Sequence, residues 1–176
     1  MRRGDPLANP DPLIRRVYSY VAYRLGNGPD CEDVTSEVFE RALRYRQSYD
    51  ESRGQPAQWL IGIARRCVDD ALSAPSAVPS PVANDAAAAI DLENEVVRRL
   101  DVAAAIDALD DRARDLLALR YGADLTARQI GQLLGMKTNA VEVALHRTLA
   151  QLRRELDDPH DPARAAAAEP APGVSP

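Results

Sequence analysis

Few side chains in this sequence could carry covalent chemistry, and none stands where such chemistry needs it. Cys31 and Cys67 lie far apart with no C-x-x-C, and the histidines are His146 and His160, so metal-ligand spacing is absent. No nucleophile sits beside a base, and no glycine-rich loop is placed to cradle a phosphate. The expectation is no catalytic residue, no metal and no cofactor. Charge and one aromatic anchor are what is left. Asp30, Glu32 and Asp33 crowd a single turn, Trp59 is the only tryptophan, and a C-terminal periodic segment offers Lys137, His146, Arg147 and Arg153. A formal charge of −5 argues against tight, unaided binding of duplex DNA, but it permits binding within a larger complex that supplies its own positive channel.

These groups must be held by helices. Leu13, Val17, Val21 and Leu25 recur every four residues, which predicts a helix over 13–25 with Arg15, Arg16 and Arg24 facing outward. Gly26 to Pro29 end it. The next helix is led by the acids, whose carboxylates suit the exposed N–H groups of a first turn. It carries Val34, Val38 and Ala42, with Phe39 and Leu43 beside them. Residues 45–58 lack an apolar period and contain Gly54 and Pro56, so they read as a loop. A third helix follows, with Trp59, Leu60, Ile63, Ala64 and Val68.

Residues 1–12, rich in proline, are expected to be a disordered start. The run Ser73 to Asp85 holds prolines and serines and no aromatic, and it places a flexible linker over 73–90. Helical periodicity resumes from Asp91 to Leu109, and Asp110 or Asp111 caps a helix containing Leu116, Leu117 and Leu119. Thr126 and Gln129 are spaced as a capping box, ahead of Ile130, Leu133 and Leu134. Gly135 suits a left-handed turn, and a second helix from Thr138 or Asn139 carries Val141, Leu145, Leu149, Leu152 and Leu156. That is a helix-turn-helix, whose second helix can enter a major groove about 12 Å wide. The Pro/Ala-rich residues 157–176 read as a disordered tail. The fold class expected is all-α: two small helical domains, 13–72 and 91–156, joined by a flexible linker, the second with a helix-turn-helix. No apolar run approaches the roughly 18 residues that span a bilayer, and a secretory leader is absent, so the chain is expected to be cytoplasmic, without membrane insertion.

The order of residue types says more. D-x-E-D-V-T-x-E-V-F from Asp30, then R-G-x-x-A-x-W-L-x-x-I-A-R from Arg53 and an acid at Asp70, resembles region 2 of the sigma-70 family in its extracytoplasmic-function form. L-D-x-x-x-R-x-L-L-x-L-R-Y-G from Leu109 and L-H-R-x-L-x-x-L-R from Leu145 resemble region 4 of the same family. The resemblance implies a transcription initiation factor, not an enzyme, that binds core RNA polymerase and directs it to promoter DNA. In that family the acid-led helix docks on a coiled coil of the β′ subunit, which implies Asp30, Glu32, Asp33, Glu37, Val38 and Phe39 as the polymerase contact. The loop and third helix capture a base flipped from the minus-ten element, which implies Arg53, Gln55, Gln58, Trp59, Arg65 and Arg66. The helix-turn-helix reads the minus-thirty-five element, which implies Arg128, Lys137, Thr138, Asn139, Glu142, His146 and Arg147. An anti-sigma factor that clamps the two domains would be a further partner.

This chain departs from the family pattern at Arg66, where an Asn is usual, and at Gln55-Pro56-Ala57, where a Ser-Phe-basic run is usual. It departs again at Ala140, Glu142, Val143 and Ala144, where Thr and a basic-Ser-Arg run are usual. An alternative reading is therefore a sigma-like adaptor or regulator that acts through protein contacts and reads DNA weakly.

Overall fold

The computed structural model describes residues 5–74, 102 and 105–157, and every regular element among them is helical. Beyond Ala74 the expected linker lies outside the described residues, as do most of the helix expected from Asp91 and the tail after Asp157.

Helix α1 spans Pro10–Leu25, starting earlier than periodicity alone suggests. Proline is tolerated in a first turn, where its missing N–H would have had no helical partner anyway. Its inner face is Leu13, Val17, Tyr20 and Val21. Helix α2, Pro29–Tyr45, also opens on a proline, with Asp30 and Glu32 in its first turn, and it buries Cys31, Val34, Val38 and Ala42. Two short 3-10 turns, Arg46–Ser48 and Glu51–Arg53, lead into α3, Pro56–Ser73, which buries Ala57, Leu60, Ile61, Ala64, Cys67 and Val68. The three helices pack pairwise into one module, and both cysteines are buried free thiols within it.

In the second module, Asp110 caps α4, Asp111–Leu117, its carboxylate accepting from the Ala113 amide at 2.7 Å. The helix runs on through a π turn, Ala118–Gly122. Helix α5, Ala127–Leu134, starts on the full capping box of Thr126 and Gln129. Gly135 takes the left-handed conformation (φ 67°) that ends it, and α6 spans Thr138–Asp157. The predicted helix-turn-helix is thus present.

Five consecutive residues, Asp115 to Leu119, are buried, more than one helix face can supply. The reason is that α4 lies between two partners. Leu117 and Ala113 join Ile106 and Leu109, backed by Leu149 and Leu152 of α6. Leu116, Ala118 and Leu119 join the core of the first module, with Val17, Tyr20 and Val21 of α1. The two modules therefore close on each other.

Polar groups stitch this seam. The Tyr20 hydroxyl donates to Asp115 at 2.8 Å, and Arg65 reaches the same carboxylate from Nε at 3.1 Å and from its terminal nitrogen at 2.9 Å. Arg24, expected to face outward, is 4% exposed, because α4 covers it. Its guanidinium donates to the Asp111 carbonyl at 3.0 Å and lies 2.8 Å from the Asp111 carboxylate. Burial is the largest single influence and works against the Arg24 charge, yet the bond to Asp111 and the nearby Tyr20, Asp111 and Asp115 together outweigh it and hold the guanidinium more firmly protonated than usual. Gly122 touches α1 so closely that a Cβ there would lie 3.0 Å from the Ser19 carbonyl oxygen and 3.0 Å from Tyr20 Cα.

Candidate polymerase and promoter interfaces

The acid-led face of α2 is real and wet. Asp30, Glu32 and Asp33 are all exposed. Glu37 is half-buried and already engaged, since Arg41 binds its carboxylate and also reaches Asp70 of α3 at 3.0 Å. Bonds to Asp70 and Glu37 push the Arg41 guanidinium further from deprotonation, so it stays charged and ties α2 to α3. Val38 is not on this face: it is 0% exposed, turned into the core by the same periodicity that buries Val34 and Ala42. Phe39 is partly buried against that core. Leu43 and Tyr45, outside the expected set, are exposed apolar groups at the far end of α2.

The loop 45–58 and α3 make a pocket of about 330 Å³ lined by Tyr49, Arg53, Gln58, Trp59, Ile63 and Arg66, among others. Tyr49 is held by its hydroxyl, which donates to the Gly54 carbonyl at 3.0 Å, and its ring centre lies 5.6 Å from that of Trp59. The pocket thus has an aromatic wall for stacking and two exposed guanidinium groups at its rim. Four of the six expected minus-ten residues meet there. Gln55 lines an adjoining hollow of about 430 Å³ with Arg53 and Glu51. Arg65 points elsewhere, to Asp115, because helical spacing puts it on the face of α3 that meets α4. Tyr49 lies outside the expected set; its signal, an aromatic inside a polar loop, is weak in a sequence.

Gln132 and Leu133 of α5 complete the pocket's lining, and the Gln58 amide donates across to the Gln129 carbonyl and to the Gln132 side chain, each at 3.3 Å. The second module therefore forms part of the wall of the first module's pocket.

Within the second module a groove of about 660 Å³ runs between α4 and α6. Lys137, Asn139 and Arg147 line it with Arg112, Ala140 and Val143. Arg112 also lies outside the expected set, because in the sequence it belongs to the preceding helix. Thr138, Glu142 and His146, four residues apart, are exposed along another line of α6, and Arg128 is exposed on α5. Among the described residues no group of His, Cys, Asp and Glu could hold a metal ion, and no helix is long and apolar enough to cross a membrane.

Two family profiles match this chain: Sigma-70 region 2 over residues 11–75 and Sigma-70, region 4 over residues 105–154. The ECF RNA polymerase sigma factor SigK of Mycobacterium ulcerans is 29% identical, the match covering 84% of this chain and 83% of that protein. SigE of Mycolicibacterium smegmatis, also an ECF RNA polymerase sigma factor, is 34% identical over 85% of this chain and 63% of its own length. Among solved structures the fold is similar to that of CnrH in complex with the cytosolic domain of CnrY, with TM-score 0.58 and 21% identity over 84% of this chain and 82% of that one. It is similar again to that of the sigma factor RpoE in complex with the anti-sigma factor NepR from Bartonella quintana, with TM-score 0.61 and 15% identity over 84% of this chain and 94% of that one.

Proposed function

The chain belongs to the sigma-70 family, in its extracytoplasmic-function form, and on that premise we propose how its modules divide the work of initiation. As a sigma factor it binds core RNA polymerase and directs it to promoter DNA. The polymerase performs nucleotidyl transfer, and this chain, acting in the cytoplasm, contributes binding alone. The first module, 13–72, meets the polymerase through Asp30, Glu32 and Asp33 on α2, with Phe39 and Leu43 as neighbouring apolar contacts. Glu37 acts mainly through its pairing with Arg41.

The pocket beside Trp59 takes the flipped base of the minus-ten element. Unstacking a base costs a few kcal/mol, and stacking on an aromatic ring returns about 1–3 kcal/mol per base, so the wall of Tyr49 and Trp59 offsets much of the cost. Arg53 and Arg66 meet phosphates at its rim. In the second module, 91–156, Lys137 and Arg147 anchor α6 to the backbone of the minus-thirty-five element, while Glu142 can accept from a cytosine amino group. An anti-sigma factor is a proposed partner, by analogy with the complexes of CnrH and RpoE.

The observation that carries this reading is the aromatic wall of Tyr49 and Trp59, which stands on the same three-helix module as the exposed acids of α2 and backs a pocket of about 330 Å³ that α5 completes. Run-off transcription with purified core polymerase tests it: specific transcripts from cognate promoters are expected. One observation favours the adaptor reading instead, namely that α6 exposes Glu142 and the apolar Val143 where cations are usual. Stable polymerase binding with no transcript from any promoter would establish that reading.

A further inference from the structure

Ahead of α1, within the stretch expected to be a disordered start, residues 5–8 close a tight turn. The Leu7 amide donates to the Asp5 carboxylate at 3.0 Å, and the Ala8 amide donates to the Asp5 carbonyl at 3.2 Å. Pro6 is buried and Leu7 packs against the core, which fixes the turn to the first module. It faces the loop 49–56, and the hollow of about 430 Å³ lies between the two.

Two hollows therefore flank one loop, and Tyr49, Arg53 and Gly54 line both. The shared wall is firmly set. The Tyr49 hydroxyl is bonded to the Gly54 carbonyl, and Gly54 takes a φ of 151° with Gln58 Oε1 only 2.7 Å from where a Cβ would stand, so no other residue fits there without strain. Successive nucleotides of a strand are about 3.4 Å apart when stacked and farther apart once unstacked. A strand that places one base beside Trp59 thus carries its neighbour within reach of the second hollow, with Arg53 beside the phosphate that joins them. The second hollow differs in chemistry from the first. Its charged groups are the carboxylates of Asp5 and Glu51 against a single cation, Arg53, while Pro6 and Pro56 supply apolar surface. Carboxylates repel phosphate and accept from N–H, so the hollow suits a base with an exocyclic amino group, which adenine, cytosine and guanine have. Thymine carries carbonyl oxygens in those places and is disfavoured.

We propose that the hollow between the turn 5–8 and the loop 49–56 is a second nucleotide site: it takes the base next to the one held beside Trp59 and selects an amino-bearing base through the Asp5 carboxylate. This rests on the assignment of the Trp59 pocket to the minus-ten strand. A flipped base is read by hydrogen bonds along its pairing edge, and Asp5 supplies an acceptor for that edge from outside the loop itself.

The test titrates holoenzyme, assembled from the full chain and core polymerase, with labelled single strands of dT in which two adjacent central positions run through every pair of bases. Fluorescence anisotropy reads the affinity. Preferences are expected at both positions, and at one of them dA, dC or dG should bind about tenfold more tightly than dT. Asp5→Asn keeps an oxygen for the Leu7 amide but exchanges the other for an amino donor, so it should erase or reverse that preference at that position alone. Trp59→Ala should weaken binding through the other position and leave the Asp5-dependent preference in place. Should Asp5→Asn lower the thermal midpoint, Glu51→Gln makes the same exchange on the facing wall. A preference confined to one position overturns the proposal, as does a second preference that neither Asp5→Asn nor Glu51→Gln alters; in both cases a loss of affinity in Trp59→Ala would leave the first pocket standing. Strands that bind without preference and are indifferent to Trp59→Ala would refute the pocket assignment and the second site together.

Discussion

At the scale of single residues, the most consequential position is Trp59. It is half-buried, braced by Tyr49, and faces the pocket with Ile63 and Arg66. Trp59→Ala removes a stacking surface worth about 1–3 kcal/mol, so promoter opening is expected to weaken roughly 10- to 100-fold. Permanganate reactivity of minus-ten thymines in the holoenzyme complex checks it, and undiminished reactivity would place base capture elsewhere. The acids of α2 make a second residue-scale case. Asp30→Lys with Asp33→Lys reverses two charges on the exposed side of α2, away from its buried stripe, so polymerase pull-down should fall while the thermal midpoint stays put. Glu37→Lys is a poorer probe, because it also breaks the bond to Arg41.

At the scale of elements, α5 depends on its start. Thr126→Ala removes the hydroxyl that accepts from the Gln129 amide and leaves one end of the capping box unmatched. A loss of about 1 kcal/mol is expected in urea unfolding. The longer α6 carries Arg147 of the groove, and Lys137 stands just before its first residue. If Lys137 and Arg147 touch phosphates, replacing both by Ala should flatten the salt dependence of promoter binding by about 0.9 in log–log slope for each phosphate no longer neutralised. An unchanged slope would move the duplex-binding surface off this groove, to the line of Thr138 and His146.

The scale of the whole molecule is where the seam matters. Asp111 is held below the usual carboxylate range, first by its hydrogen bond from Arg24. Its folded form thus favours the charged state, so its contribution to closure is complete above the ordinary carboxylate pKa, about 3.9, and is lost as pH falls through its lowered value. Acidification below pH 4 should therefore erase the difference in urea midpoint between wild type and Asp111→Asn, while the difference holds constant near neutrality. Tyr20 behaves in the opposite sense at the alkaline end. Burial first, and Asp115 next to it, push its hydroxyl far above the normal tyrosine range, so it stays protonated and keeps donating at any working pH.

Much of this protein is determined by local rules that act within a few residues. The period of Val34, Val38 and Ala42, the capping box at Thr126, the glycine turn at Gly135 and the prolines that open three helices each act over one or two turns, so they are readable in the chain itself. The residues expected around Trp59 come from the family resemblance, not from a local rule, and four of them share one pocket because its loop and helix are adjacent in sequence. What only the tertiary structure decided lies across long separations. Tyr20 finds Asp115 at a separation of 95 residues, and Arg24 finds Asp111 at 87. No periodicity distinguishes an arginine that faces water from one that a second module will cover, because both occupy the same face of the helix. The closing of the two modules, the diversion of Arg65 from the pocket and the walling of that pocket by α5 all follow from packing, which a linear pattern does not contain.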